Sequence, residues 1–497
     1  MKKYYLGIDQ GTTGTRALLF NKKWKLVGSG YEEIPLVYPR IGWIEHDVQA
    51  IWDSVLGAVA KAMKEAHADA DSIISIGIDH EGESVIMWDS LTGAPVYPSI
   101  VWQDRRNARE VKELAALYND LVHQKTGLMM DTYFSAPKYS WILQHVDRAQ
   151  ELLKEKRLLA GTVDSWLVWK MTHGRAHVTD ASTASRTLLY NIHRGTWDAD
   201  VAAVFGIDTN ILPTICNSAQ VYAKTDPLDF LGISAPISAI LVDQQAALLG
   251  QACTIPGEIK TTYGTGCFML LNTGEKHVES TYGLLPTVAW QVHDKLTYAL
   301  DGGVYTTGAA IKWMSDTLHI MDSPAESEAL AQSVPDNGGV YFVPAFSGLA
   351  APYWDSYASG MMIGLNGNTT KAHIVRSALE ATAFQVHDVL NAMMGDAQIP
   401  IRSMRCNGAA TRNSFLMQFQ ADILGVSLEI PAISETTAFG AAFMGAIGVG
   451  MYHDVKDIEN FWEIMQVYEP SIDEEQRNEL LYDWHRAVQR AKYWIEK

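Results

Sequence analysis

Cysteine is scarce: four thiols (Cys216, Cys253, Cys267 and Cys406) occur in 497 residues, with no Cys-x-x-Cys pair. That excludes a disulfide framework and the usual zinc-site spacings, and makes reduced structural thiols in a cytoplasmic protein the expectation. Positive charge is scarce too, with 39 basic against 57 acidic residues and a formal net charge of −18. Such a surface repels phosphate backbones and anionic lipid, and no basic patch relieves it, so no nucleic-acid partner is expected. No apolar run reaches about 18 residues, and the opening Met1-Lys2-Lys3-Tyr4-Tyr5-Leu6-Gly7 turns into a short strand rather than a signal sequence, so membrane insertion is not expected. Low-complexity segments and short-period repeats are absent as well.

What is present is core material. Hydrophobic residues make up 47% of the chain and charged residues 19%, a globular composition. The length calls for two to four domains, hence for clefts between them. Residues 4–8 form an apolar burst ending at Asp9 and a Gly/Thr turn. Residues 16–20 and 24–27 read as the next two strands of a meander. Residues 47–66 carry Ile51, Val55, Leu56, Val59, Ala62 and Met63 at helical spacing, and residues 73–78 return to strand. In the second half, strand-like residues 237–242 end at Asp243-Gln244-Gln245. Residues 259–263 end at Gly264-Thr265-Gly266, an echo of the first Gly/Thr turn. Two similar α/β domains follow, with a boundary near residues 245–258 and an active site in the cleft between them.

In Asp9-Gln10-Gly11-Thr12-Thr13-Gly14-Thr15 the glycines, Gly14 among them, allow close backbone approach to an anion. The threonines add hydroxyl donors, and Asp9 is placed to hold hydrated Mg²⁺. The run lacks the Gly-Lys-Ser/Thr of a Walker A loop, and alone it reads equally as a simple turn. Thr262-Tyr263-Gly264-Thr265-Gly266-Cys267-Phe268 has the same donor chemistry, and two such loops could cradle β and γ phosphates from either side. Asp243, emerging at a strand end, suits a general base. It suits a helix cap as well.

The sequence resembles the FGGY family of carbohydrate kinases over essentially its whole length, and within it the glycerol kinases. Tyr133-Phe134-Ser135-Ala136-Pro137-Lys138-Tyr139-Ser140-Trp141 and the following residues match the first family signature. Gly360-Met361-Met362-Ile363-Gly364-Leu365, continuing through His373 to Ala378-Leu379-Glu380, matches the second. Gly42-Trp43-Ile44-Glu45-His46-Asp47 and Ile100-Val101-Trp102-Gln103 resemble glycerol-kinase stretches. The resemblance implies an α/β fold of two actin-like, ribonuclease-H-type domains. One covers residues 1–250, with the polyol pocket and first phosphate loop; the other covers 251–497 and binds ATP. It implies ATP and Mg²⁺ as cofactors and phosphorylation of a terminal hydroxyl of a small polyol, glycerol first. By position it places Thr12, Thr13, Arg16, Thr265 and Gly308 at the nucleotide phosphates and Asn413 beside the adenosine. Asp243 falls at the base, with Gln244 next to it, and Glu83, Trp102, Tyr133 and Phe268 fall on the polyol. Relatives form homodimers or homotetramers, which are the assemblies the resemblance allows.

The pattern breaks at His80-Glu81-Gly82-Glu83, where glycerol kinases carry Asn-Gln-Arg-Glu. Gly82 removes a guanidinium and is expected to open space. Either His80 or water takes over the guanidinium's part, or a C4–C5 polyol or ketose such as erythritol or erythrulose fills the gap. Ala409 in Asn407-Gly408-Ala409-Ala410 adds a methyl near the nucleotide, and Lys312 replaces a nucleotide-side Gln. Residues 225–231 lack the insert and the histidine through which some relatives are controlled, so neither control is expected. An ATP-operated switch of the actin and Hsp70 type would need the phosphate loops but not the polyol pocket. The C-terminal stretch 473–497 reads as a charged amphipathic helix on the second domain.

Overall fold

A computed structural model describes residues 2–495. The chain forms two compact units. The first holds the chain through Thr254 and two later segments, Thr287–Tyr298 and Glu435–Phe461; the second holds the remainder.

Unit 1 opens with the meander β1 (Tyr4–Gly11), β2 (Gly14–Asn21) and β3 (Leu26–Glu33), paired antiparallel. The third strand starts later than residue 24. Trp24 sits in the turn at φ 57°, with its N–H on Asn21 O (2.9 Å) and its ring stacked on Tyr5 at 4.6 Å, which leaves its own backbone out of the ladder. β3 runs on through Gly28-Ser29-Gly30, a poor strand sequence by propensity, because pairing to β2 along its whole length outweighs local preference. The helix Val48–Ala66 follows, with Asp47 capping its N-terminus by accepting from Gln49 N–H at 2.9 Å, and Ile51, Val55, Ala58, Val59 and Ala62 buried along one stripe.

β4 (Ile73–His80) runs parallel to β1, β5 (Ala219–Lys224) lies at the edge, and β6 (Pro236–Val242) runs parallel to β4, giving the order β5-β6-β4-β1-β2-β3. This is the ribonuclease-H-type core. The buried helix Thr436–Gly448 covers the sheet so closely that a Cβ on Gly7 would fall 2.2 Å from Ala438 O, and one on Gly77 1.9 Å from Ala441 O. Glycine at both strand positions is what admits a helix supplied from the far end of the sequence, a contact that no single cut near residue 250 describes. Thr287–Tyr298 is held likewise: Gln245 Nε2 donates to Thr287 Oγ1 (3.1 Å) and Val288 O (3.2 Å).

Unit 2 repeats the theme. β7 (Glu258–Tyr263) and β8 (Cys267–Gly274) form a hairpin, and β7 pairs in parallel with β9 (Ser403–Asn407). β9 runs parallel to β10 (Leu428–Pro431), which pairs antiparallel with β11 (Ile464–Tyr468). Its core gathers Ile259, Met269, Met314, Val375, Leu379, Val386 and Met404. The C-terminal helix Glu474–Ala491 has a capping box at Asp473 and Gln476. It buries Trp484, whose Nε1 donates to Asp388 Oδ2 at 2.8 Å within the same unit. Glu496 and Lys497 lie outside the described residues. Among the described residues no helix is long and apolar enough to cross a membrane.

Candidate active site

Strand register brings the acidic residues together. β1 pairs Asp9 with Asp79 of β4, and β4 pairs His80 with Val242 of β6, so Asp9, Asp79 and Asp243 stand at the carboxyl ends of three adjacent parallel strands. Ligand sites of α/β sheets form at such ends. Burial is the main cause that lifts Asp9 to about 7; Asp243 and Glu435 add to the rise while its hydrogen bond to Asp79 and the Arg16 charge oppose it. Asp79 is pushed well above the usual carboxylate range by burial and by the charges of Asp9 and Asp243. Asp243 does not cap its helix: Val242 holds the N-cap position and Asp243 lies in the first turn of Asp243–Gly250, its Oδ1 accepting from Gln244 N–H at 2.6 Å.

The tight turn between β1 and β2 carries Thr12, half-buried, and Thr13, exposed, with Gly14 paired to Gly11. Thr12 Oγ1 accepts from Trp102 Nε1 at 2.9 Å. Arg16, the third residue of β2, pairs with Glu435 at 3.1 Å and lies over the Tyr31 ring. Glu81 is raised to about 7 by burial, which the hydroxyls of Thr12 and Ser84 and the neighbouring His80 partly offset.

Glu83, Trp102 and Tyr133 lie near one another, Glu83 and Tyr133 linked through Arg186. Trp102 meets Tyr133 edge-on at 5.6 Å, and its N–H donates to Ser84 Oγ at 3.0 Å. The segment after it is braced by Arg106, buried against Trp43 (4.1 Å) and Trp141 (4.6 Å). The Arg106 guanidinium donates to Glu45 and twice to Asp104, at 2.8 to 2.9 Å. Lys138 of the helix Ser135–His145 donates to the carbonyls of Thr132, Tyr133 and Phe134 at 2.6 to 2.8 Å, fixing the backbone that presents Tyr133.

Two expectations at the broken motif need correction. His80 does not stand in for a guanidinium: its Nδ1 accepts from Gly82 N–H at 3.2 Å and its Nε2 is turned to Thr183 Oγ1 at 2.9 Å. Nor is Gly82 simply a truncated arginine. It adopts φ +75°, and a Cβ there would meet Val242 Cγ1 at 3.1 Å, so the turn itself is built around glycine. The guanidinium that meets Glu83 comes from Arg186, whose Nε donates to Glu83 Oε1 at 2.7 Å. Sequence reasoning passed over Arg186 and Lys138. The one signal for Arg186 was an isolated charge in the otherwise uncharged run 181–192.

In unit 2 the β7–β8 turn is closed by Gly264 N–H on Gly266 O (2.8 Å), leaving Thr265 exposed. Gly308 and Ala309, opening the helix Gly308–Asp316, donate to Gly264 O (3.3 Å) and Thr265 O (3.0 Å), so Thr265 and Gly308 adjoin. Lys312 is exposed one turn on, 4.0 Å from Asp316. Ala409 follows β9, whose Asn407 pairs with Thr262 of β7. Asn413 caps the helix Ser414–Leu424, accepting from Leu416 N–H at 2.9 Å and donating to Ser327 Oγ at 3.3 Å. Phe268 is half-buried on β8.

An oxygen-only donor set around Asp9 suits a hard divalent cation. Among the described residues no group of three or more His, Cys, Asp and Glu side chains is disposed to hold a metal alone.

Two α/β units, each with a Gly/Thr hairpin at a strand end, are the architecture of nucleotide-phosphate-binding proteins that include the carbohydrate kinases. Residues 4–250 match the N-terminal domain of the FGGY family of carbohydrate kinases, and residues 259–449 match its C-terminal domain. Glycerol kinase 2 of Thermotoga maritima is 47% identical over 100% of both chains, and glycerol kinase of Carboxydothermus hydrogenoformans 48% identical over 99% of both. Among solved structures, Plasmodium falciparum glycerol kinase with ADP matches with a TM-score of 0.94 at 33% identity, over 99% of this chain and 98% of that one. A xylulose kinase from Rhodospirillum rubrum shares the fold, with a TM-score of 0.86 at 23% identity over 98% of this chain and 99% of that one. The chain belongs to the FGGY family of carbohydrate kinases. It is an ATP-dependent kinase using Mg²⁺, which sets aside the reading as a switch without small-molecule kinase activity.

Proposed function

We propose that the protein transfers the γ-phosphoryl group of ATP to a terminal hydroxyl of glycerol, giving glycerol 3-phosphate. The observation that carries this is the position of Asp243. It follows the carboxyl end of β6, beside β4, whose end leads into Glu81 and Glu83, and one strand further from β1, whose end leads into the hairpin. Asp243 takes the hydroxyl proton on a carboxylate oxygen as the new O–P bond forms and the bond to the ADP oxygen breaks. Glu83, with Arg186 and Gln244, orients the acceptor hydroxyls, while the faces of Trp102 and Tyr133 cover its carbons. In unit 1, Thr12, Thr13, Gly14 and Arg16 would meet phosphate oxygens and Asp9 would hold Mg²⁺; in unit 2, Thr265 and Gly308 would meet phosphate oxygens and Asn413, Ala409 and Lys312 would lie on the nucleoside side. When bound, Mg²⁺ neutralises charge on the β and γ phosphates. The scarcity of cysteine, four in 497 residues, suits a reducing compartment, and we infer a cytoplasmic enzyme.

A coupled ADP-release screen over glycerol, dihydroxyacetone, erythritol, threitol, erythrulose and the pentitols tests the reading. Saturable turnover of glycerol is the expected result. Turnover of a four-carbon compound with none of glycerol would overturn the acceptor and leave the kinase.

A further inference from the structure

The pocket contains a buried ion pair whose cation the broken motif does not supply. Glu83 and Arg186 are 4% and 3% exposed in their side chains. Besides donating to Glu83 Oε1 at 2.7 Å, Arg186 brings Nη2 to 3.5 Å from the Tyr133 hydroxyl, and its guanidinium lies 5.6 Å from the Tyr133 ring and 5.8 Å from that of Phe134. The backbones of the three segments are clipped together. Ala136 N–H donates to Thr187 O at 2.9 Å, and Ser135 Oγ donates to Glu83 O at 3.2 Å. A buried pair of this kind contributes little net stability, because desolvation consumes most of the Coulombic gain. Its role is better sought in geometry.

Resting on the polyol-kinase reading above, we propose that Arg186 is a positioning residue of the acceptor site: it fixes Glu83 in one rotamer as a carboxylate and orders Tyr133 beside it. Glu83 is raised by burial and by Asp243, and brought back by Arg186 and, less, by Lys138. Without the guanidinium the carboxyl holds its proton to higher pH, and the acceptor loses an anionic hydrogen-bond partner.

The test uses the full-length enzyme with Arg186→Gln and Arg186→Lys, checked for folding by thermal melting, and with glycerol as first acceptor. Arg186→Gln should raise the acceptor KM about tenfold or more at pH 7, as expected for loss of a hydrogen bond to a charged group, with the KM for ATP in place. Its kcat/KM for the acceptor should climb more steeply with rising pH than that of the wild type. Arg186→Lys, which keeps the charge, should return the profile to that of the wild type while recovering only part of the KM. If Arg186→Gln does not fold, the KM split of Arg186→Lys decides. An unchanged acceptor KM, equal losses for ATP and acceptor, or a wild-type pH profile in Arg186→Gln would overturn the proposal. A wild type that takes a four-carbon polyol and not glycerol removes the glycerol reading alone, and the same measurements on that acceptor then decide for Arg186. A wild type that phosphorylates no polyol removes both.

Discussion

Thr12 and Trp102 are joined by a single hydrogen bond that ties the phosphate hairpin to the pocket wall, and a double-mutant cycle measures that tie. Trp102→Phe deletes the Nε1 donor, 2.9 Å from Thr12 Oγ1, and keeps an aromatic ring to meet Tyr133 edge-on. Thr12→Val deletes the acceptor at nearly constant volume. The bond is neutral and partly buried, so its net worth is about 1 kcal/mol, roughly a fivefold effect on kcat/KM. Trp102→Phe should cost about that much with either substrate varied, because the bond locates a hydroxyl on the phosphate side while holding a ring on the acceptor side. Thr12→Val should cost more, since the same hydroxyl also faces Glu81. The double variant should fall close to Thr12→Val alone, leaving an interaction energy of about 1 kcal/mol between the two sites. Steady-state kinetics by coupled ADP release give all four corners. Losses that add to within about 0.3 kcal/mol would refute the coupling of hairpin and pocket.

Three further outcomes follow from the same geometry. Asp243→Asn keeps the first-turn contact to Gln244 N–H but removes the proton acceptor; transfer should be abolished while calorimetry still detects nucleotide binding, and retained turnover would remove Asp243 from the base role. Arg106→Met leaves Glu45 and Asp104 buried without their common guanidinium, a loss of about 3–5 kcal/mol in urea unfolding, and Arg106→Lys should recover little because the contacts are forked and stacked between two indoles. Glu81, raised by burial to about 7, binds its proton more tightly folded than unfolded. Its stabilisation is therefore full below the unfolded value and lost as pH rises to about 7, by about 3 kcal/mol in all. In Mg²⁺- and nucleotide-free protein the urea midpoint should fall from pH 5 to 7 with a shallower slope in Glu81→Gln, and equal slopes would refute it.

Much of this was legible in the sequence because it depends on local runs. An apolar burst ending in an acidic residue and a Gly/Thr turn marks a strand and its loop, and both hairpins are where residues 4–15 and 259–268 place them. Asp47 before an apolar stripe marks a helix start, and the structure caps the helix there. What was not legible depends on distant partners. Trp24 looks like a strand residue until Tyr5 and Phe20 are seen to hold its ring above the turn. The helix Thr436–Gly448 looks like part of the second half until Gly7 and Gly77 are seen to receive it.

Gly82 shows why the pocket was harder to read than the hairpins. Counting donors along the motif gives a deficit of one guanidinium and a gap in its place. In the fold, the φ of +75° turns the Cβ direction toward Val242 rather than into open space, so Gly82→Arg adds backbone strain of about 1 kcal/mol along with any donors it returns. A gain in glycerol selectivity from that variant would thus have to exceed a cost that the motif does not record. The charge balance of the site is met instead by Arg186, 103 residues away along the chain and 2.7 Å away in space. A pocket's donors belong to a place in the fold, and a substitution in a motif signals altered specificity only after every segment reaching that place has been counted.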